Sequence, residues 1–331
     1  MILAGDIGGT KTNLALFEAE GDQLRPVHEA TFPSRQHATF EEILDQFLGD
    51  HRASKVESSC FGVAGAVLDG RVHTTNLPWT LVESSLSEAI GCPRATLLND
   101  LEAAAYAMPR QDLDQLHVLN PGTSRRNRGN VAVIAAGTGL GEAVLFWNGT
   151  HFVPIASEGG HADFAPRTDV EIDLLRHLRA KFDGHVSYER VLSGPGLFNI
   201  YGYFRDAGHA PEPDWLAAKL RAGDPGAIVS QMALEDKDAN CTAALDLFAS
   251  IYGAEAGNLA LKALAMGGVF IAGGIAPKIL PALTKSDAFL RGFFAKGRFT
   301  DLMKTLHVSV ALDPKAPLMG AAYYASDNRD P

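Results

Sequence analysis

LAGDIGGTKTNLALFE, residues 3–18, is the stretch whose reading decides the fold. Its middle nearly matches the phosphate-loop pattern G-x-x-x-x-G-K-[ST], with Gly5 at the start and Lys11-Thr12 at the end. The sixth position, however, is Thr10 where that pattern needs glycine. Such a loop leads into a helix whose N-terminus faces the phosphates. Here residues 13–18 are a short apolar run with no helical cap and no stripe of period 3.6. The turn Glu20-Gly21-Asp22 and a further extended piece at 24–27 follow. Strand, glycine turn, strand, turn, strand is therefore the expectation, and the phosphate-loop match is coincidental. The glycines let backbone amides at a hairpin tip approach an anion, with Thr10, Lys11 and Thr12 adding donors. Asp6, just before the tip, is misplaced for gripping phosphate but suits Mg2+ held through water.

The chain has 331 residues, which favours two domains or lobes. Hydrophobic residues make up 46% and mean hydropathy is zero, enough for a substantial core. A net charge of −10 and a pI of about 5.5 argue against nucleic acid or an anionic membrane as the main partner. Arg125, Arg126 and Arg128 are a local exception, and such a trio before a strand is more often a solvated loop than a binding patch. Cys60, Cys92 and Cys241 show no paired spacing, which excludes a disulfide framework and points to a reducing compartment. The chain opens directly into a strand, without a signal segment, and no apolar run approaches the ~20 residues of a membrane span. A cytoplasmic location is the expectation.

A second stretch, NVAVIAAGTGLGEAVLFWNGTHFVP at 130–154, has the same design. A strand over 131–135 runs into a glycine loop at 137–141, a second strand follows over 142–146, and Asn148-Gly149 signals a hairpin before a third. Gly137-Thr138 stands where Gly9-Thr10 stands in the first. Three glycines in five residues are more than an ordinary turn needs, so this loop too is expected to contact phosphate. Two such stretches imply two related α/β lobes, each presenting a hairpin tip to a cleft between them. Strands are also expected over 58–63 and 95–98, the latter ending at Asn99-Asp100 before a small-sided helix at 102–107. Helices are expected over 169–182, 196–204 and 240–265. A buried strand at 269–272 leads into Gly273-Gly274-Ile275-Ala276-Pro277 and a helix with proline in its first turn. A last small-residue helix runs through 317–324. No linker divides the chain, so the lobes should pack closely and exchange terminal helices.

Taken together, GDIGGTKTN, LLND, GTGLG, SEGGHADFAP, YERVLSGPGLFNIY and AGGIAPK, in this order, resemble the bacterial glucokinase family. The resemblance runs from Gly5 to about Ala322. It implies the two-lobed actin-like, ribonuclease-H-like ATPase fold, each lobe a mixed β-sheet flanked by helices. It places residues 1–110 with about 311–331 in a small lobe, and 111–310 in a large lobe with helical insertions. The implied activity is ATP-dependent phosphorylation of glucose with Mg2+, in a homodimer. The implied phosphate contacts are Asp6, Gly8, Gly9, Thr10 and Lys11 in one loop and Gly137, Thr138 and Gly139 in the other, with adenosine at Gly273, Gly274 and Ile275. Some members carry Asn where Lys11 stands. The implied sugar contacts are Asn99, Asp100, Glu158, His161 and Glu189, and the turn at 75–79 is similar to a loop on the sugar side.

Those residue types suit a polyol. A carboxylate accepts hydroxyl hydrogens, an imidazole or amide supplies both roles, and a site built this way rejects an analogue lacking a hydroxyl. Asp100 is the expected general base, since it stands where a strand ends and a primary alcohol needs its proton accepted to attack a γ-phosphate. The bland reading of Asp100 is a helix N-cap, and both can hold together. Glu158-x-x-His161 with Asp163 has the look of a metal pattern, but Gly159-Gly160 argues against a helix there. Sugar kinases of the ROK group carry a zinc-binding cysteine cluster after a comparable histidine, and here no cysteine lies between His161 and Cys241. The competing readings are a ROK-type kinase for another hexose or N-acetylhexosamine, a sugar-sensing regulator, and a non-enzymatic actin-like protein.

Overall fold

The residues after the first glycine turn form a strand: β1 spans Ile2–Ile7, β2 spans Lys11–Glu20, and they pair antiparallel with Ile7 opposite Thr12. The phosphate-loop alternative is thereby excluded. The structure is a computed structural model that describes residues 1–21, 23–49, 55–74, 76–124 and 128–329. Arg125 and Arg126 of the arginine cluster, Asp22 of the first turn and Thr75 of the turn at 75–79 lie outside the described residues.

β3 follows at Gln23–Pro33, far longer than the piece expected at 24–27. It is the outer strand of its sheet and mostly exposed, so it carries no apolar alternation to betray it. Pro26 is tolerated because an outer strand leaves one row of backbone groups unpaired. Next come α1 (Phe40–Leu48), β4 (Ser58–Val63), β5 (Arg71–His73), β6 (Thr80–Val82), α2 (Glu83–Ile90), β7 (Ala95–Asn99) and α3 (Asp100–Ala107). The chain continues through β8 (Leu116–Asn120), β9 (Val131–Ala136), β10 (Leu140–Trp147) and β11 (Phe152–Ile155). The helical part holds α4 (Asp169–Lys181), α5 (Gly194–Asp206), α6 (Asp214–Ala222), α7 (Pro225–Leu234) and α8 (Ala239–Ala263). β12 (Gly268–Ala272), α9 (Leu280–Lys285), α10 (Ala288–Phe294), α11 (Thr300–Thr305), β13 (Val308–Ala311) and α12 (Ala316–Asp327) complete the chain. The helix after β12 starts at Leu280 with Pro281 in its first turn, since 273–279 are turns.

Contacts divide the chain into two units: Met1–Gln111 with Phe152–Ala156 and Asp313–Pro331, and Asp112–His151 with Ser157–Leu312. Among the described residues, one sheet has the order β3-β2-β1-β4-β7 and another β11-β10-β9-β12-β13-β8. β1–β4 and β4–β7 are parallel, as are β9–β12 and β12–β13, while β1–β2 and β9–β10 are antiparallel. The repeat read from two glycine loops is thus a repeat of strand order.

In the first unit the inner strands are buried on both faces, so they read as continuous apolar runs. Successive residues point to opposite sides. Leu3, Leu14, Leu16 and Phe61 join Phe40, Phe47 and Trp79 in one cluster, whereas Ile2, Ala4, Ala15, Phe17 and Cys60 pack with Leu98, Ala103, Leu318, Ala321 and Ala322 in another. Each large side chain so buried contributes about 1.5–3 kcal/mol. The second cluster needs α12 close to α3: a Cβ on Gly320 would collide with the Ala103 carbonyl oxygen. In the second unit α8 is apolar all round and buried along most of its length, as expected of a core helix. Gly253 and Gly257 let α10 lie against it, the former under the Phe289 carbonyl.

Gly320→Ala should therefore lower the unfolding free energy by about 2 kcal/mol, because backbone must move to admit the methyl group. Gly202→Ala, in α5 with open space around the added carbon, should raise it by ~0.5–1 kcal/mol. Urea denaturation of both variants checks the pair; equal midpoints would contradict the tight α3–α12 crossing.

Candidate active site

Parallel pairing sets one functional edge in the first unit. Asp6 of β1 is in register with Gly62 of β4, and Gly62 with Leu98 of β7, so Asp6 and the Asn99-Asp100 pair stand at the same carboxyl-end edge. That is the edge where open α/β sheets bind ligands. Gly62 allows the start of α3 to come down onto the strand: a Cβ there would lie 2.8 Å from the Ala103 Cβ and 3.6 Å from the Asp100 Cα.

The tip at Gly8, Gly9 and Thr10 is a tight turn. The Gly8 amide donates to the Lys11 carbonyl (3.0 Å), the Ser34 amide donates to the Thr10 carbonyl (3.1 Å), and the Ser34 hydroxyl donates to the Gly8 carbonyl (2.8 Å). Thr12 Oγ1 lies 3.0 Å from Ser34 Oγ and is fully buried, so of the three expected donors only Thr10 and Lys11 are exposed. Asn76 packs on Gly9, where a Cβ would come within 2.7 Å of its own. The turn read as a sugar-side loop therefore sits against the first glycine tip. Asp6 accepts from Asn13 Nδ2 at 3.1 Å. Burial pushes its carboxyl above the ordinary range, opposed by that hydrogen bond and by the Lys11 charge.

Asn99 is the N-cap of α3 and Asp100 its first residue. Asn99 Oδ1 accepts from the Leu101 amide (2.9 Å), its Nδ2 donates to the Gly65 carbonyl (3.0 Å), and Glu102 Oε2 accepts from the Asn99 amide (2.9 Å), a complete capping box. Asp100 Oδ1 accepts from the Leu101 amide at 2.8 Å. The capping role anticipated for Asp100 belongs to its neighbour. An anionic side chain at this first position sits where the helix dipole favours negative charge.

In the second unit the remaining candidates converge. β12 runs parallel to β9, so Gly273, Gly274 and Ile275 leave their sheet beside Gly137, Thr138 and Gly139. The Ile275 amide donates to the Ala136 carbonyl at 3.2 Å, and Gly273, at φ +82°, has no room for a Cβ, which would lie 2.5 Å from that same oxygen. Tyr252 of α8 accepts from the Ala136 amide (3.1 Å), pinning the end of β9. Glu189 Oε2 accepts from the Leu140 amide at 3.1 Å, and a Cβ on Gly139 would come within 2.6 Å of it. Residues 162–164 pair with 186–188, the Tyr188 amide donating to the Ala162 carbonyl (2.9 Å), which sets the Gly159–His161 turn beside the Tyr188–Arg190 turn. Glu158 and His161 lie 4.0 Å apart with both side chains well exposed, whereas Asp163 faces His185 at 3.2 Å. The segment is one 3-10 turn, consistent with the expectation against an α-helix.

Ser34 and Asn13 went unread in the sequence. Asn13 had a signal, its place in the motif opposite Asp6; Ser34, beyond the next strand, had none. Glu142 is a third, an ionisable side chain inside a buried strand. Among the described residues no three His, Cys, Asp or Glu side chains gather to hold a metal. Mg2+ asks for less, one or two carboxylates with water and phosphate completing its shell, and the half-buried Asp6 carboxylate beside the first glycine tip fits that demand.

The glucokinase family model matches residues 3–328. The glucokinase of Nostoc punctiforme is 40% identical over 339 residues, covering 98% of this chain and 99% of that protein. A crystal structure of glucokinase from an Antarctic psychrotroph superposes with a TM-score of 0.87 at 32% identity, covering 99% of each chain. Glucokinase from Balamuthia mandrillaris, solved in complex with glucose, superposes at 0.76 with 22% identity over 98% of this chain and 93% of that one, a likeness of fold. With two sheets of one strand order and a family match along nearly its whole length, the chain belongs to the glucokinase family.

Proposed function

We propose that this glucokinase-family enzyme transfers the γ-phosphoryl group of ATP to the 6-hydroxyl of D-glucose, with Asp100 as general base. The observation that carries the reading is the place of Asp100: first residue of α3, at the carboxyl end of β7, on the edge that also bears Asp6. In this reading Asp100 orients the 6-hydroxyl and takes its proton as the new O–P bond forms. The bond between the γ-phosphorus and its bridging oxygen breaks, and ADP leaves. Glu158, His161 and Glu189 hold the other hydroxyls with Asn99, whose capping bonds leave one amide hydrogen and one lone pair available. Glu189, bonded to Leu140, ties the sugar contacts to the Gly137–Gly139 loop.

The amides of Gly8 and Gly137 close their own turns, on the Lys11 and Gly139 carbonyls, so backbone amides at Gly9 and Gly139, with Thr10, Lys11 and Thr138, are assigned to the phosphates, and Gly273, Gly274 and Ile275 to the adenosine. Asp6, through water, would hold Mg2+, which neutralises β- and γ-phosphate charge when bound. The exposed ammonium of Lys11 adds charge at the same tip. A cytoplasmic homodimer belongs to the same reading by family resemblance; among the described residues no helix is long and apolar enough to cross a membrane.

Asp100→Asn should lower kcat by about 10²–10⁴-fold while glucose still binds by calorimetry. Turnover close to that of the unaltered enzyme would remove Asp100 from the role. Glu158→Gln should raise the glucose KM roughly 10-fold or more, the loss of a hydrogen bond to a charged group, with a smaller change in kcat. The test of substrate class is a coupled assay over glucose, mannose, fructose, glucosamine and N-acetylglucosamine with ATP, ADP or polyphosphate as donor. The highest kcat/KM is expected for glucose with ATP; a clear preference for another pair would replace this assignment.

A further inference from the structure

Beneath the Glu158–His161 turn lies a pair of carboxylates that the reaction does not use. Glu142 on β10 is 3% exposed and Glu255 on α8 is 0% exposed. Glu142 Oε1 is buried and finds no donor among the described residues, while Oε2 lies against Gly159 so closely that a Cβ there would collide with it. Gly160 packs on the same strand, over the Leu140 carbonyl. The two glycines between Glu158 and His161 are thus what allows the turn to rest on β10, with the Glu142 carboxylate as part of its floor. Glu255 is within hydrogen-bonding reach of Glu142, and two carboxylates can bond only by sharing a proton.

The surroundings leave Glu142 little else. Asn258 Nδ2 donates to Glu255 Oε2 (2.7 Å) and to the Tyr188 hydroxyl (3.2 Å), and Lys262 Nζ stands 3.5 Å from Glu255 Oε1 with its side chain largely in solvent. Lys296, which follows α10, donates to Asn258 Oδ1 (2.6 Å) and to the Ala254 carbonyl (2.8 Å). Arg167, paired with Glu171, bears on Lys296, and Tyr252 shares the electrostatic field of Glu142. Among the described residues Lys262 stands on Glu255, Lys296 on Asn258 and Arg167 on Glu171, so Glu142 takes no direct ion pair and feels Lys262 only as a nearby charge.

We propose that Glu142 is a positioning residue for sugar binding: protonated and bonded to Glu255, it supports the Ser157–His161 turn, and its ionisation loosens that turn. This rests on the assignment of Glu158 and His161 to the sugar. Burial, then the Glu255 charge, raise the Glu142 carboxyl to about 8, against an ordinary 4.5, with the Lys262 charge opposing. A group raised in the folded state holds its proton at neutral pH. Its contribution to stability is complete below pH 4.5 and is lost as pH rises through about 8. Lys296, lowered to about 8 by burial and by the Arg167 charge, titrates in the same window, so a variant at Glu142 itself is required.

The experiment follows kcat and the glucose KM from pH 6 to 9 for the unaltered enzyme, Glu142→Gln, Lys262→Met and Glu158→Gln. In the unaltered enzyme KM should rise on the order of 5-fold or more above pH 8 with kcat much less affected, whereas E142Q, locked in the protonated shape, should keep its neutral-pH KM throughout. A rise in E142Q parallel to the unaltered enzyme would overturn the proposal. Lys262→Met, at an exposed position, should move the midpoint of the rise to higher pH because the opposing charge is gone; an unmoved midpoint also counts against it, even where E142Q does not fold. Glu158→Gln separates the two failures. An unchanged glucose dependence in that variant sinks the sugar-site assignment, whereas weakened binding there with E142Q following the unaltered enzyme sinks only the role given to Glu142.

Discussion

Parallel pairing of β1 with β4 and β4 with β7 is the constraint on which the first unit's chemistry depends. Strands that run the same way end at the same edge, so residues far apart in the chain, Asp6 and Asp100, are delivered to it without any direct bond between them. The same holds for β9 and β12, which release the Gly137–Gly139 loop and the Gly273–Ile275 turn side by side. In each sheet an antiparallel hairpin supplies the glycine tip; the second group comes from β12, the parallel neighbour of β9, in one and from β7, beyond β4, in the other.

Close approach of backbones is what makes these edges usable. Gly62 admits the start of α3, Gly320 admits α12 onto α3, Gly160 admits the His161 turn onto β10, and Gly273 fits under the Ala136 carbonyl. Each lets main-chain atoms meet where a methyl group would hold them apart. The polar atoms carried inward are then matched: Tyr252 takes the Ala136 amide, Ser34 braces the Gly8 turn, and the capping box closes the first turn of α3. The Glu142–Glu255 pair is the place where matching requires a proton, since two buried acceptors cannot satisfy each other.

How much of this was legible depended on whether the signal was local. The two glycine hairpins, the buried strands and the long alanine-rich helix were readable because apolar runs and glycine spacing are properties of a short window. β3 was read as a fragment, since an outer strand is held by ladder hydrogen bonds and need not alternate. The Asn-Asp pair reads as a helix start, with capping the bland alternative for Asp100; the geometry gives the cap to Asn99, one residue away, a difference that propensity cannot resolve because both side chains cap well. Ser34 could not be found at all: its hydroxyl meets Gly8 only after β3 has returned the chain to the tip.

Sequence alone determined which residue types stand at which turns: the carboxylate before the first tip, the Asn-Asp pair at a strand end, the Glu-Gly-Gly-His segment, and the order of motifs that marks the family. Tertiary structure alone decided their company. It set Glu189 on the Leu140 amide, His161 beside Glu158 rather than Asp163, and a buried glutamate under Gly159. The physical reason is range. Glycine spacing and apolar periodicity act over a few residues, whereas a hydrogen bond between side chains tens of residues apart exists only once sheet register has fixed where each strand ends.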